Sequence, residues 1–204
     1  MTKAKHSVDD VELMSKKVCY QGFFQVDELT FKHKLFAGGW SAVVKREVLE
    51  RGHAVVVLAY DPRLDEVVLV EQIRIPVLAA SSSPWLLELV AGMIDTDESS
   101  IEVAKRELME EAGLEARRIE KIQHFFPSPG GCTERVDLYF AEVDATKACG
   151  LHGLKDEQED IRVHVLSRIN AYNKVVSGDI VSAPTIIGLQ WLMMHYQDLL
   201  KRSS

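Results

Sequence analysis

Cysteine is scarce in this chain. Its 204 residues hold three, Cys19, Cys132 and Cys149, odd in number and without metal-ligand spacing. That argues against a disulfide framework or a zinc knot, and makes the reducing cytoplasm the expected compartment. No apolar run approaches the roughly 18 residues of a membrane span. The opening stretch MTKAKHSVDDVELMSKKV has neither a hydrophobic signal core nor a cleavage pattern. Positive charge is in deficit, with 24 Lys and Arg against 31 Asp and Glu and a net charge of −7. Such a balance argues against a general nucleic-acid or anionic-membrane surface. No Gly-rich turn joins a strand to a helix as in a dinucleotide fold. No repeat or low-complexity segment stands out.

What is present is an ordinary globular composition, 47% hydrophobic and 27% charged, enough for one or two domains. Residues 1 to about 10 are polar and read as loose. Short strands are expected between Lys17 and Phe36, and another from Trp40 into Lys45. GHAVVVLAY (52–60) and EVVLVE (66–71) read as buried strands joined by the turn DPRLD. Further strands are expected near Lys121 to Phe126, Val136 to Val143 and Ile161 to Leu166. Two helices close the chain. One runs near Arg168 to Val176; the other is capped by Ser182, has Pro184 in its first turn, and continues to about Leu200. Its apolar residues Ile186, Leu189, Leu192 and Met193 read as core. This mixture predicts an α+β layered sandwich.

The most specific stretch is GMIDTDESSIEVAKRELMEEAGL, Gly92 to Leu114. It fits Gly-x5-Glu-x7-Arg-Glu-apolar-x-Glu-Glu-x-Gly-apolar at every fixed place: Gly92, Glu98, Arg106, Glu107, Leu108, Glu110, Glu111, Gly113 and Leu114. At about 7% usage per residue type, its seven named positions arise by chance on the order of once in 10⁸ starts. Ser99 followed by Glu102 is a capping-box signature, so a helix is expected from Ser99 or Ser100. Gly113 suits a left-handed stop. Ile101, Leu108 and Ala112 form the expected buried stripe, while Glu107, Glu110 and Glu111 cluster on another face. Glu107 and Glu111 repel as an i, i+4 pair, and the helix dipole disfavours negative charge at that end. A solvated acidic face would have a Lys or Arg one turn on. Here Glu107 is followed by Glu111 and Glu110 by Leu114, so a bound hard cation, Mg²⁺ or Mn²⁺, is the more economical account.

The pattern is that of the Nudix hydrolases, which cleave nucleoside diphosphates linked to another group with the help of divalent cations. Further segments resemble the ADP-ribose pyrophosphatase branch: QGFF at 21–24, RGHAVVVL at 51–58, EQIRI at 71–75, ELVAGMI at 88–94, SPGG at 128–131 and DEQEDIRVHV at 156–165. Pro129 matches a proline that marks this branch, about fifteen residues beyond the box. The resemblance runs from about Tyr20 to the last helix. It implies a Nudix-type α/β/α sandwich of mixed sheet (51–204), preceded by a small N-terminal β domain (1–50) that serves dimerisation.

Residue roles implied by the resemblance are these. Glu107, Glu111 and the carbonyl of Ala91 would bind metal, with Glu110 supporting a second ion. Glu98 and Arg106 would brace the loop against the helix. In the late acidic loop, Glu157 would be the general base or water-orienting group and Glu159 would be metal-linked. Read alone, DEQED is equally a solvated loop. Arg46 and Arg74 would lie beside the diphosphate, though either could be a surface strand residue. Phe23 would stack on adenine, against a simpler reading as core. Ser128 and Glu134 would lie near the terminal ribose. The N-terminal segment would exchange between subunits, taking Phe23 and Arg46 to the partner's site, which implies a homodimer. His53, His124, His152, His164 and His195 show no ligand spacing.

The reaction so implied is Mg²⁺-dependent hydrolysis of ADP-ribose to AMP and ribose 5-phosphate, with no nucleic-acid or membrane partner. The box handles only the diphosphate, so another nucleoside diphosphate sugar, GDP-mannose or ADP-glucose, remains an alternative. A silent ADP-ribose-binding regulator is a second alternative, against which the intact glutamates and the lack of an appended DNA-binding helix pair argue. A purely structural acidic helix is a third, and would make the metal-site argument coincidence.

Overall fold

The computed structural model describes residues 4–94 and 97–202, and the structural statements below concern those residues. The chain forms two compact units, Met1–Gly52 with Ser128–Glu134, and His53–Pro127 with Arg135–Ser204.

The first unit is an antiparallel sheet of β1 (Val11–Gln21), β2 (Gln25–His33) and β3 (Val44–Glu50), in that order. β1 begins six residues before the expected Lys17, preceded by a 3₁₀ turn at Val8–Asp10. Every β1 residue is exposed, so the alternation that marks a half-buried strand is missing there. No strand runs from Trp40; that residue makes only an isolated bridge to Lys34, and β3 starts at Val44. The buried Asp27 is answered by Lys16 (2.8 Å) and Gln25 (2.8 Å). Residues 128–134, which a boundary at residue 50 leaves to the second unit, pack on β3: the Leu49 N–H donates to Gly131 O (2.8 Å) and the Thr133 N–H to Leu49 O (3.1 Å).

The second unit contains β4 (His53–Asp61), β5 (Glu66–Ile73), β6 (Trp85–Glu88), β7 (Val90–Ile94), α1 (Ser100–Ala112), β8 (Arg118–Phe125), β9 (Val136–Glu142), β10 (Leu151–His152), β11 (Ile161–Ser167), α2 (Arg168–Ser177) and α3 (Ala183–Arg202). The sheet order is β10-β11-β5-β4-β9-β8, with β6 paired to β5 and β7 to β4. β4 and β9 run parallel and the other pairs antiparallel, so the sheet is mixed. β6 and β7 were not foreseen as strands.

Side chains alternate across a strand, so each run of β-branched residues feeds two cores. Val55, Val57, Val68 and Val70 pack with Val103, Ala104, Leu108 and Ala112 of α1. Val56, Leu58, Val67 and Leu69 pack on the opposite face with Ala171 of α2 and Leu189 and Leu192 of α3. The result is an α/β/α sandwich. Burying one such Leu contributes about 1.5–3 kcal/mol. Of the four apolar α3 residues read as core, Leu189 and Leu192 are buried, Ile186 is partly so, and the half-buried Met193 accepts from Arg168 Nη1 through its sulfur (3.2 Å). That arginine also clamps the β4–β5 turn. It donates to both oxygens of Asp65 (2.7 and 2.9 Å), which also accepts from Tyr60 Oη (2.6 Å), and its guanidinium lies 3.6 Å from the Tyr196 ring centre.

Candidate active site

α1 is positioned by its own ends and by one apolar face. At its start Glu102 Oε2 accepts from the Ser99 N–H (2.9 Å) and hydroxyl (2.6 Å), closing the expected capping box. At its end Gly113 takes φ +64°, and the Gly113 and Leu114 N–H groups satisfy the carbonyls of Met109 and Leu108. Val103 and Ala104 join Leu108 and Ala112 in the buried stripe, whereas Ile101 is only half-buried. Glu111, expected on the acidic face away from the apolar stripe, is itself buried, at 2% exposure.

The glutamates are held by specific donors. Glu111 Oε2 accepts the Ala91 N–H of β7 at 2.9 Å, and Glu111 Oε1 accepts Gln72 Nε2 of β5 at 3.2 Å. Arg106 Nη1 donates to Glu107 Oε1 and Glu110 Oε2, both at 2.9 Å, while its Nε donates to Glu98 at 3.2 Å. The expectation of an acidic face without a basic partner is therefore corrected. Arg106 lies one turn before Glu110, and a search only one turn ahead misses it. Gly92 has a steric duty: a Cβ there would overlap the Glu107 carboxyl.

Electrostatics mark the same two residues. Burial pushes the Glu107 carboxyl up to about 7; Arg106 draws it down, and Glu110 and Glu159 push it up. Burial pushes Glu111 up to about 8, the Ala91 N–H opposes this, and Glu107 adds to it. A cluster that costs this much to ionise is a candidate functional site. The donors are oxygens, which fits a hard divalent cation, and the space left by Gly92 keeps the Glu107 carboxyl against β7. As the side chains lie, no three His, Cys, Asp or Glu groups among the described residues converge on one point. Arg106 holds two of the glutamates to itself.

The late acidic loop is tied to the same helix end. The Gly153 N–H donates to the Glu110 carbonyl (3.3 Å), and the Leu154 N–H donates to Glu159 Oε2 (3.1 Å). Glu159 is half-buried and acts electrostatically on Glu107 and Glu111. Glu157 stands exposed at the end of a 3₁₀ turn, Lys155–Glu157.

This arrangement coincides with a family match. The NUDIX domain family model matches residues 50–180. The chain belongs to the Nudix family. It is 53% identical to the ADP-ribose pyrophosphatase of Escherichia coli (strain K12), over 94% of this chain and 91% of that protein. It is 34% identical to the GDP-mannose pyrophosphatase of Cronobacter sakazakii, over 91% and 96%. In fold it resembles the crystal structure of an ADP compounds hydrolase, with TM-score 0.68 and 19% identity over 94% and 98% of the two chains. Nudix hydrolases generally need a divalent metal, and α1 carries the acidic side chains for one.

The remaining Nudix expectations fall in two groups. Arg74 lies in the second unit and is not free, since its Nε donates to the buried Glu88 at 2.7 Å. Phe23, Arg46, Ser128 and Glu134 belong to the first unit. Phe23 is 83% exposed with its ring edge-on to Phe24, so the core reading does not hold. Arg46 is exposed on β3 and donates to the Lys45 carbonyl. Ser128 accepts the Gly131 and Cys132 N–H groups through its carbonyl, and Glu134 pairs with Arg51 (3.0 Å). Sequence reading also missed the contact between His164 Nε2 and Glu71 Oε2 (2.9 Å), which lies on adjacent strands.

Proposed function

We propose that this Nudix protein hydrolyses the pyrophosphate bond of ADP-ribose to AMP and ribose 5-phosphate, with Mg²⁺ as cofactor and Mn²⁺ as a substitute. One observation carries the reading: 53% identity along nearly the whole chain to a protein named ADP-ribose pyrophosphatase. The half-buried Glu107 and the buried Glu111, both raised by burial and by neighbouring carboxylates, supply a physical reason for a cation at the same place.

In this reading Glu107, Glu111 and the Ala91 carbonyl hold the ion, with Glu110 and Glu159 in support. When bound, the ion offsets phosphate charge and makes water more acidic. Glu157, exposed on its turn, orients the attacking water or takes its proton. Water adds at phosphorus as the bridging P–O bond breaks, and AMP and ribose 5-phosphate leave. Arg74 would have to exchange Glu88 for the diphosphate. Phe23, Arg46, Ser128 and Glu134 would bind adenine, diphosphate and terminal ribose. We place the protein in the reducing cytoplasm, which its three free cysteines suit, with neither nucleic acid nor membrane as partner. Among the described residues no helix is long and apolar enough to cross a membrane.

We also propose a homodimer built through the first unit, taken as a domain over residues 1–50 beside a catalytic domain over 51–204. Leu13, Met14, Val18 and Tyr20 of β1, with Phe23 and Phe36, expose apolar surface of the kind that marks an interface. A panel of ADP-ribose, ADP-glucose and GDP-mannose with Mg²⁺ tests the substrate. The expected result is the highest kcat/KM on ADP-ribose, with AMP as the nucleotide product. Faster release of GMP from GDP-mannose would support the second reading, which the 34% identical GDP-mannose pyrophosphatase favours.

A further inference from the structure

β5 sends Val68, Val70 and Gln72 to the same face of the sheet, the face covered by α1. The first two are valines with no exposed surface. The third position breaks the apolar row with an amide, still only 7% exposed. Burying an amide costs free energy unless a partner takes its hydrogen-bonding groups. The partner here is 39 residues away: Gln72 Nε2 donates to Glu111 Oε1 at 3.2 Å.

The opposite oxygen of Glu111 is already engaged by the Ala91 N–H. One donor alone would leave the carboxylate free to turn about its terminal torsion, a broad two-fold rotation. Two donors, one on each oxygen and from different strands, fix its plane. A carboxylate has about four lone-pair directions, so two bonds leave it able to accept more. The chemistry of the donor also matters. Lys or Arg at this place would neutralise Glu111 and compete with a cation. A hydrocarbon would leave a buried oxygen without its donor. An amide orients the carboxylate and leaves its charge intact.

We propose that Gln72 is a positioning residue, whose neutral side chain sets the orientation in which Glu111 meets a divalent ion. The proposal rests on Glu111 being a metal ligand. Partners that orient ligating groups are typically worth about 10–100-fold in metal affinity or activity.

The test is Mn²⁺ binding without substrate, by calorimetry and electron paramagnetic resonance, on Gln72→Met, Gln72→Asn and Glu111→Gln. Gln72→Met keeps the length and loses the donor; Gln72→Asn keeps the amide and withdraws it by one methylene. Each Gln72 variant is expected to bind Mn²⁺ about 10–100-fold more weakly, while the metal-free protein still melts cooperatively. Gln72→Met is expected to melt at a lower temperature than the parent, because a Glu111 oxygen loses its donor. Glu111→Gln is expected to lose the site. If Gln72→Met does not fold, the conservative Gln72→Asn carries the measurement. Parental affinity in the Gln72 variants, with loss in Glu111→Gln, overturns the role of Gln72 alone. Parental affinity in all three overturns the ligand reading of Glu111, and the proposal with it.

Discussion

Among single residues, Glu107 and Glu111 carry the largest consequences. Burial, with repulsion from neighbouring glutamates, raises their carboxyls to about 7 and about 8, against roughly 4.3 in an unfolded chain. Between those values the folded protein holds protons that the unfolded chain has released. Their contribution to stability is therefore whole below about pH 4 and drains away as pH climbs through 7 and 8. The metal-free protein is expected to melt lower at about pH 8.5 than at about pH 6, and Mn²⁺ uptake near pH 7 is expected to release protons. Titration calorimetry in two buffers of different ionisation enthalpy measures that release. A heat independent of buffer would count against these carboxyls as ligands. The glutamates themselves were legible in the sequence because their spacing is fixed by one helix. Gln72 and Glu88 were not: each meets its partner across strands or elements 14 to 39 residues apart. Arg106 was legible in type and incomplete in role, since its reach to Glu98 was foreseen and its grip on Glu107 and Glu110 was not.

For the elements, legibility followed local chemistry. α1 was bounded to within a residue because Ser99, Glu102 and Gly113 state its ends. β4 and β5 declared themselves through runs of Val between turn residues. β6 did not: it is four residues long and follows Ser83-Pro84, a short apolar run without alternation. The first six residues of β1 escaped for a different reason, the strand being exposed along its whole length. α2 starts at Arg168 as expected, under the Ser167 cap, but the Arg168 clamp on Asp65, 103 residues earlier, is a contact no local pattern announces. Arg168→Leu is expected to cost about 1–2 kcal/mol, because it removes two charge-assisted hydrogen bonds to a carboxylate that stays partly in water and keeps the Tyr60 hydroxyl. Urea denaturation at neutral pH reads this as a lower midpoint with unchanged slope. A midpoint equal to that of the parent would show that the clamp contributes nothing.

For the whole molecule, the layered sandwich and the family were both legible, since strand order, two closing helices and a long motif agree. The association state is a matter of surface, which sequence patterns describe poorly. Sedimentation at micromolar concentration is expected to give twice the 22.9 kDa chain mass. Leu13→Glu, which places charge on an exposed apolar strand, is expected to shift that mass toward a single chain. A parent protein that sediments as one chain would remove the dimer from the proposal.

The Ala91 N–H that meets Glu111 belongs to the main chain. Nineteen of the twenty amino acids would present the same donor at that position, and only proline would withhold it. Half of the anchorage of this acid is thus written in the path of β7 rather than in its lettering. Drift in side chains around it can retune what the protein accepts while that anchor stays put.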